Sequence, residues 1–481
     1  MMIRRRGFLA AGAAFGIGGV AFGQSRARQI AAGAKIRVAL IGCGARMGQI
    51  IEPIMAEQVV ALADPDPKMR AHLLGRMAQM PHAKEYDLSK VRTFADYREL
   101  FAKMGDEIDA VFIATPNHHH ALAAVMAMRR GIHVFVEKPM ASTVQEAQLM
   151  GRVAKETGVV TQVGNFGHST KAMRICVDSI KKGLIGEIRD VWCYDDRINS
   201  MMYRPPAAPP PKGMDWDVWC GPAPKCDYYA PTKDHNGMHP HDWHGWIGYG
   251  NGSIGNMGTH IMDAAFWALD LGAAHPASVE AREASFAVDG AWSWRTTVDY
   301  AFPERNGLPP VTLHWYDGLK PGIPYDKEHV TMTGHALKRE WLNLPPVLLE
   351  TERKWGIAEK APFLNMGTLF CGTQGTIWFS HHSAIRFFPK HLGQEIKKSK
   401  KFTYKTTEHT QEFYDAIRQN RPANTNFAYS VPLAESLLLA NVASRAGTKK
   451  LLWDGAKITN DDAANAFLGT SYRKGWELGI V

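Results

Sequence analysis

The sequence predicts an α/β protein: a doubly wound parallel sheet followed by a second α/β unit on a large, mostly antiparallel open sheet. Three observations predict it. Between Lys35 and Gly164 short apolar strands alternate with helices, the pattern of a parallel sheet with crossover helices. After Gly164 strand-like runs follow one another without a helix between each pair, which favours antiparallel pairing. One apolar strand, Val134-Phe135-Val136, runs straight into Glu137-Lys138-Pro139. A core strand has no use for that lysine, because burying an unpaired ammonium is expensive.

The elements follow in order. Residues 36–41 are a β-branched strand leading into a glycine turn and a helix near 47–57. Residues 59–63 are a second buried strand, ending at Asp64. A strand at 110–114 leads through Thr115-Pro116-Asn117 into a helix to about 129. The next strand is 132–136, and 142–157 is a clear helix. A helix at 169–182 precedes a strand at 188–194. Residues 200–250 are dense in Pro, Gly, Trp and His and read as a long loop region, which inside a compact domain tends to be functional. Strands are expected near 278–301, 310–316, 329–332, 376–379 and 384–388, and helices at 408–419 and 431–445.

Bulk properties narrow the class. A chain of 481 residues has room for two or three domains, and 45% hydrophobic with 21% charged residues is globular rather than disordered. The net charge of +9 is modest. The densest basic run, Lys397-Lys398-Ser399-Lys400-Lys401, has no interleaved aromatics and reads as a solvated edge rather than a nucleic-acid site. Six cysteines, at 43, 176, 193, 220, 226 and 371, show no CxxC pair or zinc spacing. Cys220 and Cys226 are close enough in sequence for one local bridge in an oxidising compartment.

Residues 1–34 stand apart. Arg4-Arg5-Arg6-Gly7-Phe8-Leu9 and the short Ala/Gly-rich apolar stretch after it have the parts of an export signal. The Arg-Arg-x-Phe-Leu core is similar to the twin-arginine type. The stretch is too short and glycine-rich for a comfortable membrane span, and no other run of about 18 apolar residues occurs. The expectation is a periplasmic or otherwise exported protein, passed through the twin-arginine machinery and not inserted in a membrane after cleavage, with 24–34 as a tether.

Gly42-Cys43-Gly44-Ala45-Arg46-Met47-Gly48 lies where a strand passes into a helix. The first glycine permits a tight turn, and the second lets backbone approach a pyrophosphate. The helix N-terminus then supplies amide donors and the positive end of its dipole. Met47 holds the usual third glycine position, so the fingerprint is imperfect. Asp64, twenty residues beyond Gly44 at a strand end, strengthens it as the acid that accepts from an adenosine ribose. Asp66 adds a negative charge that would repel a 2′-phosphate, so NAD is expected over NADP. Thr115-Pro116-Asn117-His118 follows another strand end, where parallel sheets face their cofactor. The neighbouring His118, His119 and His120 cannot easily converge on one ion, and no metal is expected.

Together the turn at 42–48, Ala114-Thr115-Pro116-Asn117-His118, Glu137-Lys138-Pro139 and Gly255-Asn256-Met257-Gly258-Thr259-His260-Ile261-Met262-Asp263 resemble the Gfo/Idh/MocA oxidoreductases. The resemblance covers the chain after residue 34. It implies a Rossmann-type NAD-binding domain at 35–165 and a C-terminal substrate and oligomerisation domain at 166–481, whose open sheet makes a homodimer or homotetramer. Cofactor contacts are then expected from Gly42, Gly44, Arg46, Met47, Asp64, Thr115, Pro116, Asn117, His118, Glu137 and Lys138. The family's lysine maps onto Lys138 and its histidine onto His260. The acid four residues before that histidine maps onto Asn256, a departure. An i, i+4 spacing puts both side chains on one helix face, so Asn256 can orient a hydroxyl but cannot act as a carboxylate base.

Oxidising a secondary alcohol needs hydride moved to the nicotinamide and a proton removed from the hydroxyl. His260 is expected as general base, with Lys138 bonded to the same oxygen. Burial would lower the lysine pKa toward neutrality and make a proton shuttle feasible. His235, His239, His241 and His244, interleaved with Trp243 and Trp246, suit the hydroxyls and faces of a sugar. Tyr203, Arg204, Trp216 and Trp219 are expected in the same wall. Asp263 is expected to bond nearby backbone, or to touch the substrate.

Free NAD is scarce outside the cytoplasm, while twin-arginine export carries folded proteins. A nucleotide loaded before transit and recycled within the site is the consistent arrangement. Three functions stay open: a sugar, glycoside or cyclitol oxidoreductase, an NAD-dependent glycoside-cleaving enzyme that is redox-neutral overall, and a non-catalytic sugar-binding protein on an enzyme fold.

Overall fold

The structure, a computed structural model, describes residues 27–477 apart from 86, 360, 382, 383 and 399–405. The twin-arginine motif and its apolar stretch therefore lie outside the described residues, as does part of the basic run at 397–401. Among the described residues no helix is long and apolar enough to cross a membrane.

The first unit alternates β1 (Arg37–Ile41), α1 (Ala45–Ile54), β2 (Gln58–Ala63), α2 (Pro67–Met77), β3 (Arg92–Phe94), α3 (Tyr97–Met104), β4 (Ala110–Ile113), α4 (His120–Met128), β5 (His133–Val136), α5 (Val144–Thr157) and β6 (Thr161–Val163). All its strands are parallel, in the order β3-β2-β1-β4-β5-β6. The order reverses between β1 and β4, so their carboxyl ends open the crevice where such sheets bind ligands. Strands β1, β4 and β5 are buried almost throughout, as a sheet covered on both faces requires. Helix α5 starts at a capping box, with Thr143 accepting from Glu146 and Glu146 reaching back to the Thr143 amide.

The second unit runs α6 (Lys171–Lys181), β7 (Ile188–Asp195), α7 (Trp216–Cys220), α8 (Gly252–Ala268), β8 (Ser278–Ser285), β9 (Arg295–Phe302), β10 (Val311–Gly318), α9 (Pro346–Lys354), β11 (Gly367–Gly372), β12 (Thr376–Ser380), β13 (Ala384–Phe388), α10 (Lys390–Lys398), α11 (His409–Gln419), α12 (Phe427–Ala446) and β14 (Lys450–Leu452). Its sheet has the order β13-β12-β11-β7-β10-β9-β8-β14, antiparallel except where β7 meets β10. The expected strand at 329–332 does not form. Val330 makes only an isolated bridge to Ala336, because no neighbouring strand lies alongside it. Strands β3, β6, β11 and β14 escaped sequence reading. Three of them, β3, β6 and β14, have three residues each, too few for a period-two pattern to show.

One packing relationship positions the site. The last helices return to the first unit: Phe413 and Tyr414 of α11 stand edge-on to Phe112 of β4, with ring centroids 5.5 and 5.8 Å apart. Tyr414 also donates to the Ile54 carbonyl at 2.9 Å. Fully burying such a ring is worth about 1.5–3 kcal/mol. Helix α8 lies among α6, α12 and the second sheet, and Asn251 at its start donates to the Ala141 carbonyl at 2.8 Å. This pins the start of α8 beside the loop after β5. Cys220 and Cys226 are free thiols within hydrogen-bonding reach of each other.

Candidate active site

A cleft of about 650 Å³ opens where β1, β4 and β5 end, with the second unit as its far wall. Gly42, Gly44, Arg46, Asp64, Thr115, Pro116, Asn117, Glu137 and Lys138 line it from the first unit. Gly42 has φ +85°, and a Cβ there would come within 2.7 Å of the Ala114 and Thr115 backbone. A side chain is excluded twice over, by strain and by space. A Cβ on Gly44 would instead meet nothing within 4 Å. It would project into the open cleft, where a pyrophosphate would approach the start of α1.

Asp64 directly follows β2, buried, and accepts from the amides of Cys43 (2.7 Å) and Asp66 (2.8 Å). Burial pushes its carboxyl up to about 6, against the pull of those amides. The Thr115 hydroxyl is buried beside the cleft without a partner. A glycine turn open to the cleft, a strand-end acid and an orphaned hydroxyl fit a bound dinucleotide.

Glu137 is buried against Gly164, where a Cβ would come within 2.6 Å of its carboxyl carbon. It accepts from Arg46 Nε at 2.8 Å. Next to it, Lys138 precedes a cis peptide to Pro139. Its Nζ crosses to α8, donating to Asn256 Oδ1 at 2.7 Å and to the Asn256 carbonyl at 3.0 Å. Burial lowers the Lys138 pKa to about 8, although neighbouring Glu137 holds it up. An amine of that pKa passes protons near neutral pH.

The second unit contributes Arg197, Asn199, Trp219, His239, His241, Trp243, His244 and Asn256 to the cleft. His239 faces Asp66 at 3.6 Å. The His244 ring stacks on Trp243 with centroids 3.6 Å apart, and its Nδ1 is buried without a partner. Burial, followed by the charges of His241, Lys138, Arg197 and His120, pushes His244 well below the usual imidazole range. It is therefore held in its neutral form. Arg197 and Asn199 were absent from the expected site, while His244 was expected in its sugar-facing wall. His244 sat in a visible histidine cluster, whereas Arg197 and Asn199 follow a strand end that no motif marks.

Several residues expected at the site stand elsewhere than in the cleft. Met47 is fully buried in the core under the turn and takes no place in the cleft, because α1 turns that face inward. His118 lies between the carbonyls of Trp219 (3.0 Å) and Tyr249 (3.3 Å), on the far side of the loop, where it ties the two units together. His119 and His120 do line the cleft. His120 faces the carbonyls of Pro139 at 2.7 Å and Thr115 at 2.9 Å. His260 is not among the cleft-lining side chains. One turn beyond Asn256, its Nδ1 meets Asn165 Oδ1 at 3.0 Å and its ring stacks on His381 at 5.0 Å.

Asp263 is fully buried and bonded to His168 and to the Tyr429 hydroxyl, a structural knot between α8 and α12. Trp216 stacks on Trp219 from behind, 4.3 Å between centroids, and supports the wall without facing the cleft. Tyr203 and Arg204 lie outside the cleft; Tyr203 lines a smaller neighbouring pocket, and Arg204 donates to the Asp289 carbonyl at 2.9 Å.

Comparison with known proteins agrees with this geometry. The model of the Gfo/Idh/MocA oxidoreductase family, NAD-binding Rossmann fold, matches residues 36–165, and that family's C-terminal α/β domain matches 199–305. The 2,7-anhydro-N-acetylneuraminate hydratase of Mediterraneibacter gnavus is 29% identical over 154 residues, 32% of this chain and 36% of that protein. The scyllo-inositol 2-dehydrogenase (NAD(+)) of Bacillus subtilis is 30% identical over 158 residues, 32% of this chain and 42% of that protein. The chain thus spans less than half the length of either curated relative. The WlbA dehydrogenase of Bordetella pertussis, solved with NADH and UDP-GlcNAcA, shares the fold at a TM-score of 0.53 and 16% identity, over 87% of this chain and 99% of that one. With a nucleotide cradle on the first sheet and a strand-end lysine reaching α8, the chain belongs to the Gfo/Idh/MocA family of NAD-binding oxidoreductases.

Proposed function

We propose that this protein is an exported NAD-dependent oxidoreductase acting on a secondary hydroxyl of a sugar, glycoside or cyclitol, with its nucleotide tightly held. The observation that carries the reading is Lys138: an amine with pKa about 8, held by Asn256 at the floor of a cleft that fits a dinucleotide. Bound NAD supplies the hydride acceptor, its nicotinamide ring. Gly44 and the start of α1 hold the pyrophosphate, and Asp64 accepts from the ribose. Lys138 hydrogen-bonds the reacting hydroxyl and takes its proton as the C–H bond breaks, leaving a carbonyl. We read His244 rather than His260 as the imidazole sharing that proton, since of the two it is His244 that lines the cleft. Trp243 offers an apolar face to a sugar ring. The twin-arginine motif supports export, and export of a folded protein supports a nucleotide bound before transit.

The test is direct. Perchloric acid extraction of the purified protein should release a nicotinamide nucleotide, and a panel of sugars should change the absorbance of the bound nicotinamide. An extract without nucleotide, together with no NAD binding by calorimetry, rejects the reading.

A second reading is favoured by one observation: a relative at 29% identity is a hydratase, not a dehydrogenase. Transient oxidation followed by return of the hydride would make the reaction redox-neutral. Product formation without net NADH would select it.

A further inference from the structure

Arg197 is a guanidinium without an acid. It follows the end of β7, and its side chain enters the cleft beside Lys138, His244 and Asn256. Its side-chain hydrogen bond goes from Nη1 to the Met257 sulfur at 3.6 Å. Among the described residues, no carboxylate oxygen comes within the 4.0 Å of an ion pair. Arg46 holds Glu137 and Arg37 holds Asp109, at 2.8 and 2.7 Å, and the buried Arg305 donates to the carbonyls of Leu269 and Pro309, both at 2.8 Å.

The neighbours deepen the imbalance. Lys138, His241 and His244 carry no negative charge, and Glu137 is committed to Arg46. Asp195 is buried, and what its carboxylate takes from Arg197 is a hydrogen bond from the main-chain amide, not from the guanidinium. Burial, with the charge of Asp196 beside it, pushes its carboxyl well above the usual carboxylate range, and Asp196 itself faces His335 at 3.3 Å. A half-buried cation without a partner is costly. A rigid guanidinium fork in that position matches a carboxylate with two parallel hydrogen bonds. The nucleotide's own phosphates belong at the start of α1, on the first unit, whereas Arg197 comes from the second. A phosphate dianion would call for more donors than one guanidinium, with Lys138 reserved for the reacting hydroxyl.

We infer that the substrate carries a carboxylate, as a uronate or another acidic carbohydrate does, and that Arg197 binds it. This rests on the reading of the cleft as a hydroxyl-oxidising site and names its substrate class.

The experiment uses the NAD-loaded protein and matched probes: D-glucuronate against D-glucose, D-galacturonate against D-galactose, and glucose phosphate. Calorimetry measures binding, and bound-nicotinamide absorbance measures oxidation. At least one uronate should bind about tenfold or more tightly than its neutral partner, the value of a charged hydrogen-bond pair. Arg197→Gln should abolish that preference while retaining its nucleotide, and Arg197→Lys should keep part of it. Equal binding of acid and neutral sugars, preference surviving in Arg197→Gln, tighter binding of glucose phosphate, or no uronate binding at millimolar concentration would each overturn the inference. The two readings separate cleanly. Uronate binding through Arg197 without any absorbance change keeps the carboxylate site and sinks hydride transfer, while oxidation of neutral sugars alone does the reverse.

Discussion

Lys138 Nζ donates twice to one residue, Asn256, at 2.7 Å to the side-chain Oδ1 and at 3.0 Å to the main-chain carbonyl. Two neutral acceptors orient the ammonium without adding a negative charge. Its pKa therefore stays near 8 instead of returning toward 10.5.

Replacing Asn256 by Asp puts a carboxylate against that amine. An opposite charge at this range raises a lysine pKa by about 1–3 units. Proton acceptance requires the neutral amine, so the rising limb of the pH–rate profile should move to higher pH by that amount. Single-turnover reduction of bound nicotinamide across pH checks it.

Glu137→Gln should act in the opposite sense. Glu137 holds the Lys138 pKa up, while Arg46 and Arg197 press it down. Removing the acid and leaving the arginines should move the rising limb below about pH 8. A shift to higher pH would contradict the charge assignment at this strand end.

NAD affinity should depend on Asp64. Its carboxyl titrates at about 6, and the ionised form is the better acceptor for ribose hydroxyls. Binding should be flat above neutrality and weaken as pH falls through 6, by up to about tenfold per pH unit. Asp64→Asn should remove the pH dependence and weaken binding by about ten- to a hundredfold. Calorimetry at several pH values reads both.

His244→Gln should slow the hydride-transfer step by about 10²–10⁴-fold while the nucleotide stays bound, the usual size of a lost acid–base group. His260→Asn should have the smaller effect, acting through Asn165. The opposite ranking in single-turnover kinetics would restore His260 as the base.

Gly42→Ala should destabilise the protein by about 1–3 kcal/mol, because φ +85° and a 2.7 Å approach to the β4 end both exclude a Cβ. Chemical denaturation measures the loss.

Much of the first unit was legible because its signals are local. Period and burial mark β1, β4 and β5. A strand, a tight glycine turn and a helix start are contiguous in sequence, so Gly42, Gly44, Asp64 and the 115–117 turn could be read as one face of a crevice. Lys138 was legible for a different reason, since a charge closing an apolar strand has no other local explanation. The second unit was less readable. Its sheet pairs β7 with β10 across more than a hundred residues, and the three-residue β14 leaves little pattern.

The sequence by itself determined the doubly wound class, the cofactor turn and the lysine, all written in contiguous residues whose backbone geometry and burial are set nearby. Only the tertiary structure decided what meets that lysine. The rotation of α8 turns Asn256 into the cleft and His260 toward Asn165, while a long loop and the end of β7 bring in His244 and Arg197. Those four positions depend on packing between distant segments, and no spacing along the chain encodes it.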